Sequence, residues 1–428
     1  MRSGKPTRGK SPLHRRQSRR LRSLMRSGEP TRMRYRWVIL AAGTLAQASF
    51  SMTSVALPAL GPALRVHYGL SLRQVGVVLA AVGVGMLLTL LPWGLLADRL
   101  DERWVIAMGL TGCSVALAGA GLTRSFASVT LVLIVAGALG ASVNAASGRA
   151  VMSWFPPAEL GLALGIRQTA IPIGGALGAA LLPVLAAHGG TRLAFFVLGA
   201  STIVGAVLAA AFIRGSAPGH TVVAELGRPL REPMLWLLAG GTSFYLTAQI
   251  GITGFIVLFL HEHRHVSTHA AAGLLALINV LAIGTRIGSG RISDRVGDRV
   301  RPLRVIGIAC AAATAVVAAS TDGPLPLLLP AFVIAGALSM SWNALGFAAA
   351  AETVGSGKTG AALGFQQTIL GVVVAVAPPA FAVIASSSWR LAYALAAAGP
   401  LIGALLLLRL SPRSVRSRGR SVTPPAAP

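Results

Sequence analysis

The sequence is short of charge, and shortest of negative charge. Only 12% of its 428 residues are Asp, Glu, Lys or Arg, roughly half the share of a soluble domain. Twelve are acidic, against 38 Lys and Arg. No acid and no histidine lies deep in a long apolar run. A buried carboxylate relay is therefore excluded. The two cysteines, Cys113 and Cys310, fall inside apolar runs. They make neither a disulfide framework nor a thiolate metal site. Glycine runs such as Gly174-Gly175 and Gly178 follow no strand, so no nucleotide loop is read. No acid–base pair or metal set lies within a run, so an enzyme, a cofactor and a metal are not expected.

What is present is apolar. Hydrophobic residues make up 54% of the chain, and mean hydropathy is +0.71. Repeated runs of about 18 or more apolar residues read as membrane-spanning helices. Lipid offers no partner to open backbone groups, so the spans must be helical. The fold class expected is an all-α membrane protein with twelve transmembrane helices in two six-helix halves. The domains expected are a basic disordered tail over 1–36, a six-helix bundle over 37–213 and a linker over 214–234. A second bundle over 235–410 and a basic tail over 411–428 complete the chain.

The positive charge sorts by side. Thirteen of the Lys and Arg lie in residues 1–36, and 29 fall on the side of the N-terminus against 6 on the other. This asymmetry places both termini in the cytoplasm. It reads as topology rather than a nucleic-acid surface, so no nucleic-acid partner is expected. The lipid bilayer is the partner expected instead, with the chain working as a monomer.

The halves repeat. Asp98-Arg99 matches Asp294-Arg295 at an offset of 196, and Cys113 matches Cys310 at 197. Arg192-Leu193-Ala194 matches Arg390-Leu391-Ala392 at 198. Gly161-x-Ala163-Leu164-Gly165-x-Arg167-Gln168-Thr169 matches Gly360-x-Ala362-Leu363-Gly364-x-Gln366-Gln367-Thr368 at 199, as Asn144 matches Asn343. Ordered matches at nearly constant offset mark two parallel repeats.

Two charged turns punctuate them. Gly94 to Arg103 reads GLLADRLDER, and Gly290 to Arg299 reads GRISDRVGDR. These residues resemble the loop motif G-x-x-x-D-R-x-G-R-[RK] of the major facilitator superfamily. The second copy departs at Asp298, and the first at Asp101 and Glu102. The resemblance implies two halves related about the membrane normal, with substrate bound at the midplane between them. It also implies a conformational latch carried by Gly94, Asp98, Arg99 and Arg103, and by Gly290, Asp294, Arg295 and Arg299. The glycines would let helix ends approach closely. The carboxylates would accept backbone N–H bonds or arginine contacts.

The spans hold cations rather than acids. Arg149 lies near the end of the fourth span and Arg167 near the start of the fifth; their counterparts are Ala348 and Gln366. A mid-span arginine costs about 2.5–3.5 kcal/mol on insertion scales. An anion would offset that cost, since guanidinium binds oxyanions in bidentate fashion. Arg149 and Arg167 are therefore expected to face one cavity and bind substrate. Gln168, Gln367, Asn144, Asn343 and Arg286 are further candidates, with Gln47, Tyr245 and Gln249 weaker ones. His261, His263, His265 and His269 cluster with Glu262 on an outer loop and read as a solvated surface rather than a metal or pH site. The stretch Trp154-Phe155-Pro156-Pro157 through Thr169 resembles the cyanate-type, small-anion branch of the superfamily.

The function expected is secondary transport of a small, anionic solute across the plasma membrane by alternating access. A co-transported ion or counter-anion is a further expected partner. The alternatives are a drug or hydrophobic-compound efflux antiporter and, more remotely, a non-transporting membrane sensor. Drug/proton antiporters carry R-x-x-x-G in the fourth span; before Gly140 that arginine position holds Ala136.

Overall fold

A computed structural model describes the backbone of residues 12–156, 159–214, 232–354 and 359–410, with most side chains from residue 34 onward. The described residues are helical throughout, with short turns. Eleven stretches are long and apolar enough to cross a membrane. One of them, Leu162–Phe212, has 51 residues. At 1.5 Å per residue that is about 75 Å, more than twice a ~30 Å hydrocarbon core. Its backbone breaks at Gly189 and Gly190, where Gly190 takes φ 65°. A side chain resists that left-handed value and glycine does not. The stretch is thus two crossings, and the described residues make twelve.

We label the crossings in order. α1 is Pro12–Ala56, continued by a 3₁₀ turn, Leu57–Leu60, and a short helix, Gly61–Tyr68. α1 therefore starts within the stretch expected to be disordered. α2 is Leu72–Arg99, α3 Glu102–Ala120 and α4 Phe126–Trp154. α5 covers 160–188 and α6 covers 191–212. α7 is Pro233–Leu258, α8 Thr268–Val296 and α9 Val300–Ala319. α10 has two segments, Leu325–Ser341 and Asn343–Val354. α11 is Thr359–Ala385 and α12 Trp389–Leu407. Nearly all of the linker and the tail over 411–428 lie outside the described residues.

The caps explain the boundaries. Ser71 and Ser125 open α2 and α4 with reciprocal capping boxes, which satisfy two orphan N–H groups at each end. Asp101 Oδ1 accepts from Arg103 N at 2.9 Å, and Asp298 Oδ1 from Val300 N at 2.9 Å. These two acids are departures from the superfamily motif. Asp101 is the N-cap of α3, and Asp298, one residue before the N-cap Arg299, holds the first N–H of α9.

Packing follows the repeat. Within the halves, α2 packs on α4, α3 on α4 and α9 on α12. Between the halves, α2 packs on α11 and α5 on α8. These two contacts are one contact seen twice, because α2 is equivalent to α8 and α11 to α5. Small residues allow the close crossings. A methyl at Gly85 would land on the Ile134 carbonyl, and one at Gly137 on the Val82 carbonyl. Without a hydrophobic drive between helices in lipid, such backbone approach is what holds the crossing.

At the face opposite the basic turns, the halves are tied by polar contacts. Arg65 pairs with Glu262, and Arg73 Nε donates to Ser386 Oγ at 3.3 Å. Within the second half, His263 Nε2 lies 3.1 Å from Asp322 Oδ1. That contact holds the exposed Asp322 carboxyl below its usual range.

Candidate substrate-binding site

Arg167 lies at the end of the first segment of α5 and is 9% exposed. Its Nε donates to Ser147 Oγ at 2.9 Å. Its Nη2 donates to Gln47 Oε1 and to the Asn144 carbonyl, each at 3.3 Å. Gln47 Nε2 in turn donates to Asn144 Oδ1 at 2.9 Å. One cluster thus joins α1, α4 and α5. Asn144 stands ten residues before the end of α4, about 15 Å from that end and so near mid-membrane. Ser147, Gln47 and Asn144 are all neutral. Among the described residues no carboxylate pairs with it.

Arg149 is different. Its Nε lies 3.5 Å from Glu102 Oε1, and Glu102 is only 3% exposed. Arg149 thus has a carboxylate partner, supplied by the charged turn rather than by a span. A place in a charged turn predicts a solvated Glu102, but as the first residue of α3 it packs inward against α4. The two arginines have different partners. Asn144, Ser147 and Gly148 form the α4 face beneath Arg167. Arg149 is turned about 100° from Gly148 and faces α3.

Arg286 on α8 is 5% exposed. Its Nε donates to the Met340 carbonyl at 3.0 Å and its Nη1 to the Gln168 carbonyl at 3.2 Å. Asn343 Nδ2 also donates to Met340 O, at 3.2 Å. α10 is interrupted at Trp342, which leaves the carbonyls of its first segment without helical partners. α8 supplies one at the end of the segment, Ser289 Oγ donating to Ser341 O at 2.9 Å, and adds Thr285 Oγ1 to Ala337 O at 3.3 Å.

In the second half, Gln366 occupies the place of Arg167. It is fully buried and its Nε2 donates to Thr242 Oγ1 at 3.2 Å. Gln168 and Gln367 are half-buried. Tyr245 is a packing residue, its OH donating to Leu303 O at 2.9 Å. The buried Gln249 Oε1 has no protein partner.

The charged turns differ between halves. Arg299 Nη1 meets Asp294 Oδ1 at 2.5 Å, while its Nε meets Glu352 Oε1 at 2.9 Å. This joins α8, the turn and α10. Burial alone would lower the Arg299 guanidinium, but the hydrogen bonds it donates to the two carboxylates outweigh it and hold it above its ordinary range. In the first half, the α3–α4 ion pair is Glu102–Arg149, with the charges exchanged. Arg103 stacks over Trp104 at 4.5 Å. The Asp98 side chain lies outside the described residues. Arg99 is exposed. The close-approach role expected for Gly94 and Gly290 is corrected, since a methyl at either would meet nothing within 4 Å. Both glycines lie on open helix surface. Among the described residues, no three His, Cys, Asp or Glu come together as a metal site. Cys113 and Cys310 are free and buried.

Two pseudo-equivalent six-helix bundles, meeting along α2/α11 and α5/α8 around buried polar side chains, define a multi-pass membrane transporter and not an enzyme. The chain belongs to the Major Facilitator Superfamily, whose profile matches residues 39–378. It is 30% identical over 401 residues to an uncharacterized MFS-type transporter of Mycobacterium tuberculosis, covering 92% of this chain and 90% of that one. It is 26% identical over 419 residues to a probable sulfoacetate transporter of Cupriavidus necator, covering 89% and 95%. A solved D-xylose–proton symporter shares the fold, with TM-score 0.75 at 15% identity over 89% of this chain and 99% of that one.

Proposed function

We propose that this transporter moves a small anionic solute through a site centred on Arg167. The observation that carries this reading is a buried guanidinium with three neutral hydrogen-bond partners and no carboxylate partner among the described residues. A cation at that depth costs about 2.5–3.5 kcal/mol. A solute oxyanion repays it with charge-assisted hydrogen bonds. Gln47, Asn144 and Ser147 orient the guanidinium; Gln168, Gln367 and Asn343 line the approach. Arg149, paired with Glu102, supplies positive potential rather than direct contact. A probable sulfoacetate transporter among the relatives agrees in charge class.

The Lys and Arg asymmetry favours both termini in the cytoplasm, and the plasma membrane as the location. The turn from Asp294 to Arg299 acts as the latch of the basic face, opened and closed through Arg299 and Glu352. Solute movement is coupled to an exchanged anion or a co-transported proton. The test is uptake into proteoliposomes of a labelled panel of carboxylates, sulfonates and inorganic anions, with and without a pH gradient. Uptake of at least one anion class supports the reading. Uptake confined to hydrophobic cations would replace it with drug efflux.

A further inference from the structure

Both helices that cross the centre of the molecule next to Arg286 are interrupted there. α5 breaks after Gln168, where Thr169 ends its first segment, and α10 breaks at Trp342. Each break frees carbonyls that would otherwise accept intrahelical bonds. Arg286 fills both gaps: Nε on Met340 O at 3.0 Å, in its own half, and Nη1 on Gln168 O at 3.2 Å, in the other half. The planar guanidinium holds its donors in a fixed fork, so one side chain can span two carbonyls. Gln168 is also the residue next to Arg167.

We propose that Arg286 is a positioning residue for transport. It bolts the α5 break to the α10 break, and so keeps the halves closed toward the face opposite the basic turns. The second part rests on Arg167 as the anion seat. An oxyanion there is a stronger acceptor than a backbone carbonyl. It draws Arg286 off Gln168 O, and the interface between α5 and α8 is released. Occupancy of the site and opening of the opposite face are thereby one event.

The reporter is a pair of surface cysteines, Arg73→Cys with Ser386→Cys, at the contact that joins α2 to α11 on the opposite face. A bifunctional thiol reagent links them when that face is closed. The native cysteines are buried. In anion-free buffer, Arg286→Gln should lower the cross-linking rate about tenfold, the worth of one hydrogen bond from a charged donor. Arg286→Lys keeps the charge without the fork, and should also slow it; it serves if the glutamine variant does not fold. Unchanged cross-linking in a folded variant overturns the bolt, whatever the solute. Sulfoacetate is the second arm. It should slow cross-linking in the parent and leave Arg286→Gln unaffected. If sulfoacetate raises the melting temperature through Arg167 yet leaves cross-linking unchanged, the release step is wrong. If it does not bind, the anion reading fails for that class, and the anion-free arm still decides the bolt.

Discussion

Replacing Arg167 with glutamine separates its charge from its packing. The fold supplies its own control: the equivalent position is Gln366, fully buried and bonded to Thr242. A glutamine amide at 167 can still reach the Ser147 hydroxyl or the Asn144 carbonyl. It also removes a cation that costs about 2.5–3.5 kcal/mol at mid-span. Thermal stability in detergent should therefore be unchanged or slightly raised. Anion binding should fall sharply. One charged hydrogen bond is worth about 1.5–3 kcal/mol, so Kd should rise roughly 10- to 150-fold. Isothermal titration of the purified variant beside the wild type, with melting curves on the same samples, reads both quantities. Retained anion affinity in a stable Arg167→Gln protein would refute the reasoning.

Glu102→Gln should remove the Glu102–Arg149 ion pair and cost about 1–2 kcal/mol, less than a fully buried pair because Arg149 is partly exposed. Adding Arg149→Gln should recover most of it, as a double-mutant cycle by thermal unfolding would show. Gly137→Ala would drive a methyl onto the Val82 carbonyl, and the forced separation of α2 and α4 should cost about 1–3 kcal/mol in the same assay. Asp322 lies outside the spans, and its contact with His263 depresses its carboxyl. Its contribution is present above the ordinary carboxylate range and lost as pH falls through its lowered value. Asp322→Asn should thus differ from wild type at neutral pH and converge with it in acid, as melting curves across pH would reveal.

The helices and the repeat were legible because lipid demands long apolar runs and duplication leaves ordered matches. The Gly189-Gly190 break was legible as well, since two glycines interrupt an apolar run. The break in α10 was not. Ser341-Trp342-Asn343 carries no glycine or proline, and the interruption is sustained by side chains of α8, distant in sequence. Arg167 and Asn144 stood out as polar residues in apolar surroundings. Ser147 did not, although it lies three residues after Asn144 on the same face. Glu102 was misjudged because its place in the chain suggested a solvated turn. Only the packing of α3 on α4 shows that it is buried beside Arg149. Asp101 and Asp298 read as losses from a motif, whereas Asp101 caps α3 and Asp298 holds the first N–H of α9.

The central claim is that a buried guanidinium with no carboxylate partner among the described residues selects negative cargo. Equilibrium binding to the purified wild-type protein tests it directly, with small anions set against uncharged and cationic analogues of matched size. The account predicts that anions bind and displace one another while the uncharged and cationic analogues do not. Binding of cationic or uncharged analogues with no response to any anion would contradict it.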